Sequence, residues 1–188
     1  MHRRITAALL AAIVTTACDD PIDFGFGEWD AEVDTVTLYT VDRPEYQGLP
    51  SAYDIRATRT LRVEDPAATG QWDFALTGGD GGEPLTLTPL GAFFDVPSHA
   101  GIAAVSGTFE ALEEAPTDSA SYAIDAPIVL TDTLYVIRSR VGSVQGSSCF
   151  NFAKVDPLVI DQVAGTFTFR ITANPNCNDS ALIPPEDD

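Results

Sequence analysis

The chain has 188 residues, of which 45% are hydrophobic, and a formal net charge of −18 at pH 7. So acidic a chain repels nucleic acid and anionic lipid headgroups, which excludes both as electrostatic partners. A well-solvated surface explains the acidity more simply than cation binding or a basic partner does. The length is sufficient for one domain with a hydrophobic core.

The first residues have the layout of a secretory signal. The basic pair Arg3-Arg4 precedes an apolar run at 5–16, which is too short for a bilayer span of ~20 residues. Thr15-Thr16-Ala17-Cys18 resembles the lipobox of bacterial lipoproteins, with Thr where that motif usually has Leu. The resemblance implies that Cys18 is diacylated after cleavage and anchors the chain to a membrane without spanning it. The alternative is an ordinary secretory signal followed by an unpaired cysteine.

This layout divides the chain into a signal peptide at 1–17, a tether at 18–28 and a single domain at 29–188. Loss of the positive charges of Arg3 and Arg4 with the signal peptide would take the net charge from −18 to −20. Of the three cysteines, two remain after lipidation, which is what one disulfide in an oxidising compartment needs. We therefore expect a lipid-anchored protein of the cell envelope.

Short strand-like runs, separated by turn residues, follow one another through the domain. Their side chains alternate between apolar and polar, as in strands with one buried face. No helical periodicity persists long enough to cover a parallel sheet, and only 109–114 suggests a helical turn. The predicted strands cover residues 32–41, 52–55, 60–64, 71–76, 84–88, 124–130 and 134–141. We expect an all-β, mainly antiparallel domain with short turns and little helix.

A long hairpin at 149–177 is the strongest pattern in the sequence. Its two arms alternate about a turn at 161–165, where Gly165 can take the positive φ that longer hairpin loops often require. Pairing that is symmetric about Val163 satisfies the core face, a charge pair and a disulfide in one register. The predicted pairs are Val155–Ile171, Pro157–Phe169 and Val159–Phe167 on the core face, Asp156–Arg170 on the other face, and Cys149–Cys177 as a disulfide.

Several of these segments resemble the HmuY-like family of bacterial lipoproteins and occur in that family's order. The opening segments are Ser51-Ala52-Tyr53-Asp54-Ile55, Leu61-Arg62-Val63 and Gln71-Trp72-Asp73-Phe74-Ala75-Leu76, and the closing ones lie at 134–140, 152–155 and 165–169. The resemblance covers most of 53–171. It implies an all-β lipoprotein fold and, in characterised members, capture of haem between surface hairpins, with two histidine ligands in the type member.

The predicted mature chain departs from that ligand set, because Met1 and His2 leave with the signal peptide. His99 is then the single histidine, so two histidines of one chain cannot ligate the iron. The open alternatives are ligation by His99 alone, a site shared by two chains, or a tyrosine ligand. The tyrosines considered are Tyr46, Tyr53, Tyr122 and Tyr135. His99 lies in the polar segment 95–101, where a loop histidine is ordinarily just solvated.

The sequence has no pattern that is typical of catalysis. Ser98 and His99 are adjacent, which is awkward for a nucleophile and its base, and no Gly-x-Ser-x-Gly motif is present. Zinc ligands are too few, and the oxygen-rich segment 174–179 lacks the EF-hand spacing for calcium. We predict a non-catalytic, extracytoplasmic binding protein without a metal site, anchored through Cys18, that captures haem or another small hydrophobic ligand. The alternative is a structural or protein-interaction lipoprotein that binds no haem.

Overall fold

The computed structural model describes Trp29 and residues 32–144 and 146–185. The predicted signal peptide and tether, including Cys18, lie outside the described residues. In chain order the elements are β1 (Asp34–Tyr39), β2 (Ala52–Asp54), β3 (Arg59–Leu61), β4 (Phe74–Thr77), β5 (Thr86–Pro89), α1 (Leu90–Phe94), β6 (Gly101–Val105), β7 (Ile128–Val129), β8 (Leu134–Arg138), β9 (Gly142–Val144), β10 (Ser147–Cys149), β11 (Phe152–Asp161) and β12 (Thr166–Ala173). Single 3₁₀ turns lie at Pro44–Tyr46, Pro66–Ala68 and Ser119–Ser121.

Two five-stranded antiparallel sheets form a sandwich. The first sheet has the strand order β1-β12-β11-β8-β6, and the second has the order β3-β2-β4-β5-β7. β9 and β10 form a separate two-stranded hairpin. The prediction of an all-β, mainly antiparallel domain with little helix is confirmed.

One hydrophobic core fills the space between the sheets, and aromatic rings occupy its centre. Phe167 and Phe169 of β12 stack with ring centroids 4.8 Å apart. Phe169 also lies 6.2 Å from Tyr53 of β2 and 6.0 Å from Phe74 of β4, both in the opposite sheet. All four rings are buried, so these contacts hold the two sheets together.

The β11–β12 hairpin follows the predicted register only as far as Pro157. The pairs Val155–Ile171, Asp156–Arg170 and Pro157–Phe169 form as predicted. A bulge between Pro157 and Val159 then shifts the pairing by one residue, so Ile160 faces Phe167 and Val159 faces Thr168. The prediction that Val159 faces Phe167 is therefore wrong. Proline cannot donate to the ladder, and the extra residue of a bulge suits such a position.

Other boundaries also differ from the prediction. The predicted strand at 134–141 ends at Arg138, and the helical turn predicted at 109–114 is a single turn closed by the Leu112 N–H donating to the Thr108 carbonyl at 3.1 Å. The sequence pattern did not predict helix α1 or strand β6, although β6 forms one edge of the first sheet. Within the described part of the chain, no helix has the length and apolar character that a membrane crossing requires.

Candidate functional site

Cys149 and Cys177 lie at disulfide distance, with their Cα atoms 5.2 Å apart. The main ladder of the hairpin does not extend to them, because it ends at the pair Ala153–Ala173. Cys149 instead belongs to β10, where it faces Gly142. The cysteine pair therefore joins the small β9–β10 hairpin to the segment that follows β12.

His99 lies on the surface two residues before β6. Its ring centroid is 5.6 Å from that of Phe150, the residue after Cys149. Its backbone carbonyl accepts a hydrogen bond of 3.0 Å from Nε of Arg138, whose guanidinium also covers the ring of Tyr122 at 4.7 Å. The structure thus places the exposed imidazole beside an aromatic ring and fixes the backbone that carries it.

The four tyrosines considered as iron ligands are largely engaged in the fold. The hydroxyl of Tyr122 donates to the Pro116 carbonyl at 2.9 Å, and that of Tyr46 donates to the Ala164 carbonyl. The hydroxyl of Tyr135 accepts a bond of 2.8 Å from the N–H of Thr131. Burial raises the pKa of Tyr122 to about 12, and burial together with Asp34 and Asp54 raises the pKa of Tyr53. Tyr53 and Tyr122 are therefore poor iron ligands, because their phenols are buried and stay protonated.

A buried ionic network joins the two sheets. Arg140 follows β8 and donates to both Asp54 oxygens at 2.9 and 3.2 Å and to Asp73 Oδ1 at 3.1 Å. Asp73 also accepts the backbone N–H groups of Ile55 at 2.8 Å and of Arg140 at 2.7 Å. The side chains of Asp54 and Asp73 are 2% and 0% exposed.

The environment of Asp73 changes its titration. Burial raises the pKa of Asp73 to about 6, although Arg140 and two backbone N–H groups act in the opposite direction. The contacts with the two carboxylates raise the pKa of Arg140 in spite of its own partial burial. The network therefore has a permanent cation and one carboxyl group that titrates near pH 6.

Lys154, the single lysine of the chain, supports the loop after β6. Its Nζ donates to the carbonyls of Phe109 at 2.8 Å and Leu112 at 3.2 Å and lies 4.7 Å from the centre of the Phe109 ring. Burial lowers the pKa of this ammonium group. Beside it, Arg170 is paired with Asp156 at 2.7 Å and with Glu110 at 2.8 Å. These charges are satisfied within the fold.

The surface cavities in the described part of the chain include four that His99 does not line. The volumes of these four cavities are about 330, 270, 230 and 550 Å³, so two of them are smaller than the roughly 300 Å³ at which typical ligand pockets begin. The 270 Å³ cavity lies beside Trp29 and Tyr53, and the 550 Å³ cavity lies between the 78–84 turn and the β11–β12 turn. The described residues also contain no group of three or more His, Cys, Asp or Glu side chains suited to a metal ion.

The β11–β12 turn, residues 161–165, is held by the segment that follows β1. The four successive backbone carbonyls from 162 to 165 all accept hydrogen bonds from that segment. The Arg43 guanidinium donates to the Gln162 carbonyl at 3.2 Å and to the Val163 carbonyl at 2.7 Å. The Tyr46 hydroxyl donates to the Ala164 carbonyl, and the Thr40 N–H donates to the Gly165 carbonyl at 3.0 Å. Gly165 is required there, because its φ is 67° and a Cβ would lie 2.9 Å from Nε of Arg43. The backbone of this turn is fixed.

Comparison with known proteins adds no further guide to the site. No protein-family model, no curated protein and no solved structure matches the chain. The resemblance to the HmuY-like family therefore stays a prediction from the sequence.

Proposed function

We propose that this chain is a non-catalytic, extracytoplasmic binding domain that is held on a membrane of the cell envelope by lipid on Cys18. The observation that carries this proposal is the pairing of Cys149 with Cys177, both distant from the lipobox-like segment. A buried cysteine pair at bonding distance suits an oxidising compartment, as the signal-like segment does. One cysteine for the lipid and two for a disulfide account for every cysteine in the chain.

The buried charges support a role in binding rather than in catalysis. Asp54 and Asp73 have the perturbed environment that can mark a catalytic carboxylate. However, both are closed off from solvent and oriented by Arg140 and backbone N–H groups, so a substrate has no access to them. Lys154 is likewise buried against two carbonyls. These groups stabilise the sandwich and leave recognition to the surface.

Haem is the ligand that the family resemblance suggests, and His99 is the residue that could hold it. The site fits a single axial imidazole, since His99 is exposed and Phe150 offers an aromatic contact beside it. Two histidines of one chain cannot ligate the iron, because the predicted mature chain has His99 as its single histidine. We expect either a five-coordinate complex or a complex in which two chains each donate His99.

Membrane attachment is tested by Cys18→Ser in the full chain. The variant should move to the soluble fraction and lose labelling by a fatty-acid analogue, while the wild type stays membrane-bound and labelled. A soluble, unlabelled wild type would contradict the anchor.

Haem binding is tested by titrating haem into soluble Cys18→Ser protein and recording the Soret band. His99→Ala should abolish the histidine-type spectrum, and sedimentation at saturation should separate a monomeric complex from a haem-bridged dimer. Tyr46→Phe is the matched control for tyrosine ligation, because it keeps the ring and removes the hydroxyl. A tight, low-spin, monomeric complex that survives His99→Ala would refute the assignment.

A role in protein interaction is the second candidate, and a specific observation favours it. Val163, at the apex of the fixed β11–β12 turn, is 88% exposed. An apolar side chain on an already ordered turn loses little conformational entropy when it contacts another macromolecule. If no haem binds, this function accounts for the domain.

A further inference from the structure

We propose that the end of the domain around Val163 docks a protein partner through an apolar pocket whose rim carries Lys or Arg. This proposal develops the second function above: it depends on the chain acting as a binding domain, but not on haem.

The β11–β12 turn presents Val163 in a fixed position. Besides the bonds to its four carbonyls, the Ala164 N–H donates to Asp161 Oδ1 at 2.8 Å, and Gln162 Oε1 accepts the N–H of Leu85 at 2.9 Å. The turn is thus tied within itself, to the segment that follows β1 and to Leu85 just before β5. Because the backbone is already ordered, contact through Val163 loses little conformational entropy.

The surface next to Val163 can receive a side chain from the partner. The cavity of about 550 Å³ between the two turns is lined by Val163 and Pro84 as apolar walls and by Gly81 and Gly82, where a partner can approach the bare backbone. No side chain comes within 4 Å of the Cβ position of either glycine. The site therefore combines a projecting valine with an adjacent open depression.

The negative charges around the two turns favour a positively charged partner surface. Asp42, Asp80 and Glu83 are exposed around the two turns. Arg43 is the basic residue of the cavity lining, and its donors are directed at the carbonyls of Gly79, Gln162 and Val163. A second copy of this chain would bring the same carboxylates and a net charge of −18 against them. Charge complementarity therefore favours a partner with a basic rim over self-association.

The topology places this surface at the far end of the domain from Trp29 and the start of β1. β1 enters beside Ile171 and finishes beside Thr166, and Trp29 lines a cavity with Ala173 and Pro175. The eight residues of β12 separate that end from the turn by roughly 25 Å. A chain that is anchored through Cys18 would therefore present Val163 away from the attached end.

The test places p-benzoylphenylalanine at position 163 of the full-length chain in the cells that produce it. The matched control carries the same probe at Val33, which is 50% exposed at the opposite end. A protein adduct should form from position 163 and not from position 33. That protein, identified by mass spectrometry and purified, should carry Lys or Arg around an apolar pocket.

Binding of the purified pair is then measured by calorimetry. Val163→Ser should weaken the Kd at least tenfold, and Glu83→Gln should weaken it and reduce its salt dependence, whereas Val33→Ser should change it less than twofold. Both serine variants should keep the wild-type unfolding midpoint, because these side chains are exposed. A lipid adduct, an adduct with a second copy, no adduct specific to position 163, or a Kd that is insensitive to Val163→Ser would each overturn the proposal. None of these outcomes affects the Cys18 or haem experiments.

Discussion

Replacement of Arg140 by Met should strongly destabilise the domain, because it leaves buried Asp73 without a cation and buried Asp54 with only the exposed Arg59, 3.8 Å away. Asp54 and Asp73 are 2% and 0% exposed, whereas Arg140 is 14% exposed. Removal of one partner from a buried ion pair typically costs about 3–5 kcal/mol. At roughly 2–4 °C per kcal/mol for a domain of this size, the melting temperature should fall by about 6–20 °C. Met preserves most of the apolar stem, so loss of packing contributes little.

Urea unfolding at pH 7.5, followed by circular dichroism, measures this loss as a change in midpoint at constant slope. Arg62→Met is the matched control: Arg62 is 50% exposed and paired with Asp65, and its loss should cost less than about 0.5 kcal/mol. Asp54→Asn and Asp73→Asn, added to Arg140→Met, should restore most of the stability because the unpaired charges are gone. A loss below about 1 kcal/mol, or no recovery in the triple variant, would refute the assignment of this network as a main support of the sandwich.

Three further changes test separate parts of the fold. Joint replacement of Cys149 and Cys177 by Ser should cost up to roughly 3–4 kcal/mol in urea unfolding by the loop-entropy model, and less to the extent that the hairpin already holds the ends together; two free thiols in the native protein would contradict the bridge. Val159→Ala should change the unfolding free energy by less than about 0.5 kcal/mol and Ile160→Ala should cost about 2 kcal/mol, because the bulge turns Ile160 to the core; the reverse order would contradict the bulge. The pKa of Asp73 is about 6 in the folded protein, against 3.8 for an ordinary Asp side chain, so the folded state binds this proton more tightly than the unfolded state does. The stability that the proton contributes is therefore fully present below pH 4 and is lost as the pH rises through 6. The wild type should therefore lose up to about 3 kcal/mol relative to Asp73→Asn over that window, and parallel pH profiles of the two proteins would refute the shift.

The sequence predicted the hairpin register correctly as far as Pro157, because the alternation of apolar and polar side chains in both arms is consistent with the position of the turn. The pattern failed at the bulge because Leu158, Val159 and Ile160 are all apolar, so their order alone does not show which of them face outward. Leu158 and Val159 are 49% and 54% exposed, while Ile160 packs against the core. The proline at 157 was the available signal, since a proline inside a strand often marks a bulge or an edge.

The missed elements have local physical reasons. Three of the five residues of β6, Gly101, Ala103 and Ala104, have weak strand propensity, and pairing with the neighbouring β8 makes the segment a strand. Helix α1 has five residues, fewer than periodicity can reveal.

The ionic network was missed because its parts are far apart in the chain. Asp54 and Asp73 each interrupt an apolar run, which is a recognisable signal of a buried charge, but their cation lies on the segment after β8. By contrast, His99 was found by counting histidines, and sequence alone could not place it beside Phe150.

The pairing of the first strand with the last affects how the domain is made. In the described part of the chain, β1 has its ladder partner only in β12, and Thr37 bonds to Thr168, 131 positions away. At ~5–20 residues per second, synthesis of that interval takes on the order of 10 s, and the closing of so long a loop is itself slow. Val36 and Leu38 must stay without their native cover for that time, so the sandwich cannot close while the chain is still emerging. The first sheet is therefore completed only after its last strand has been synthesised.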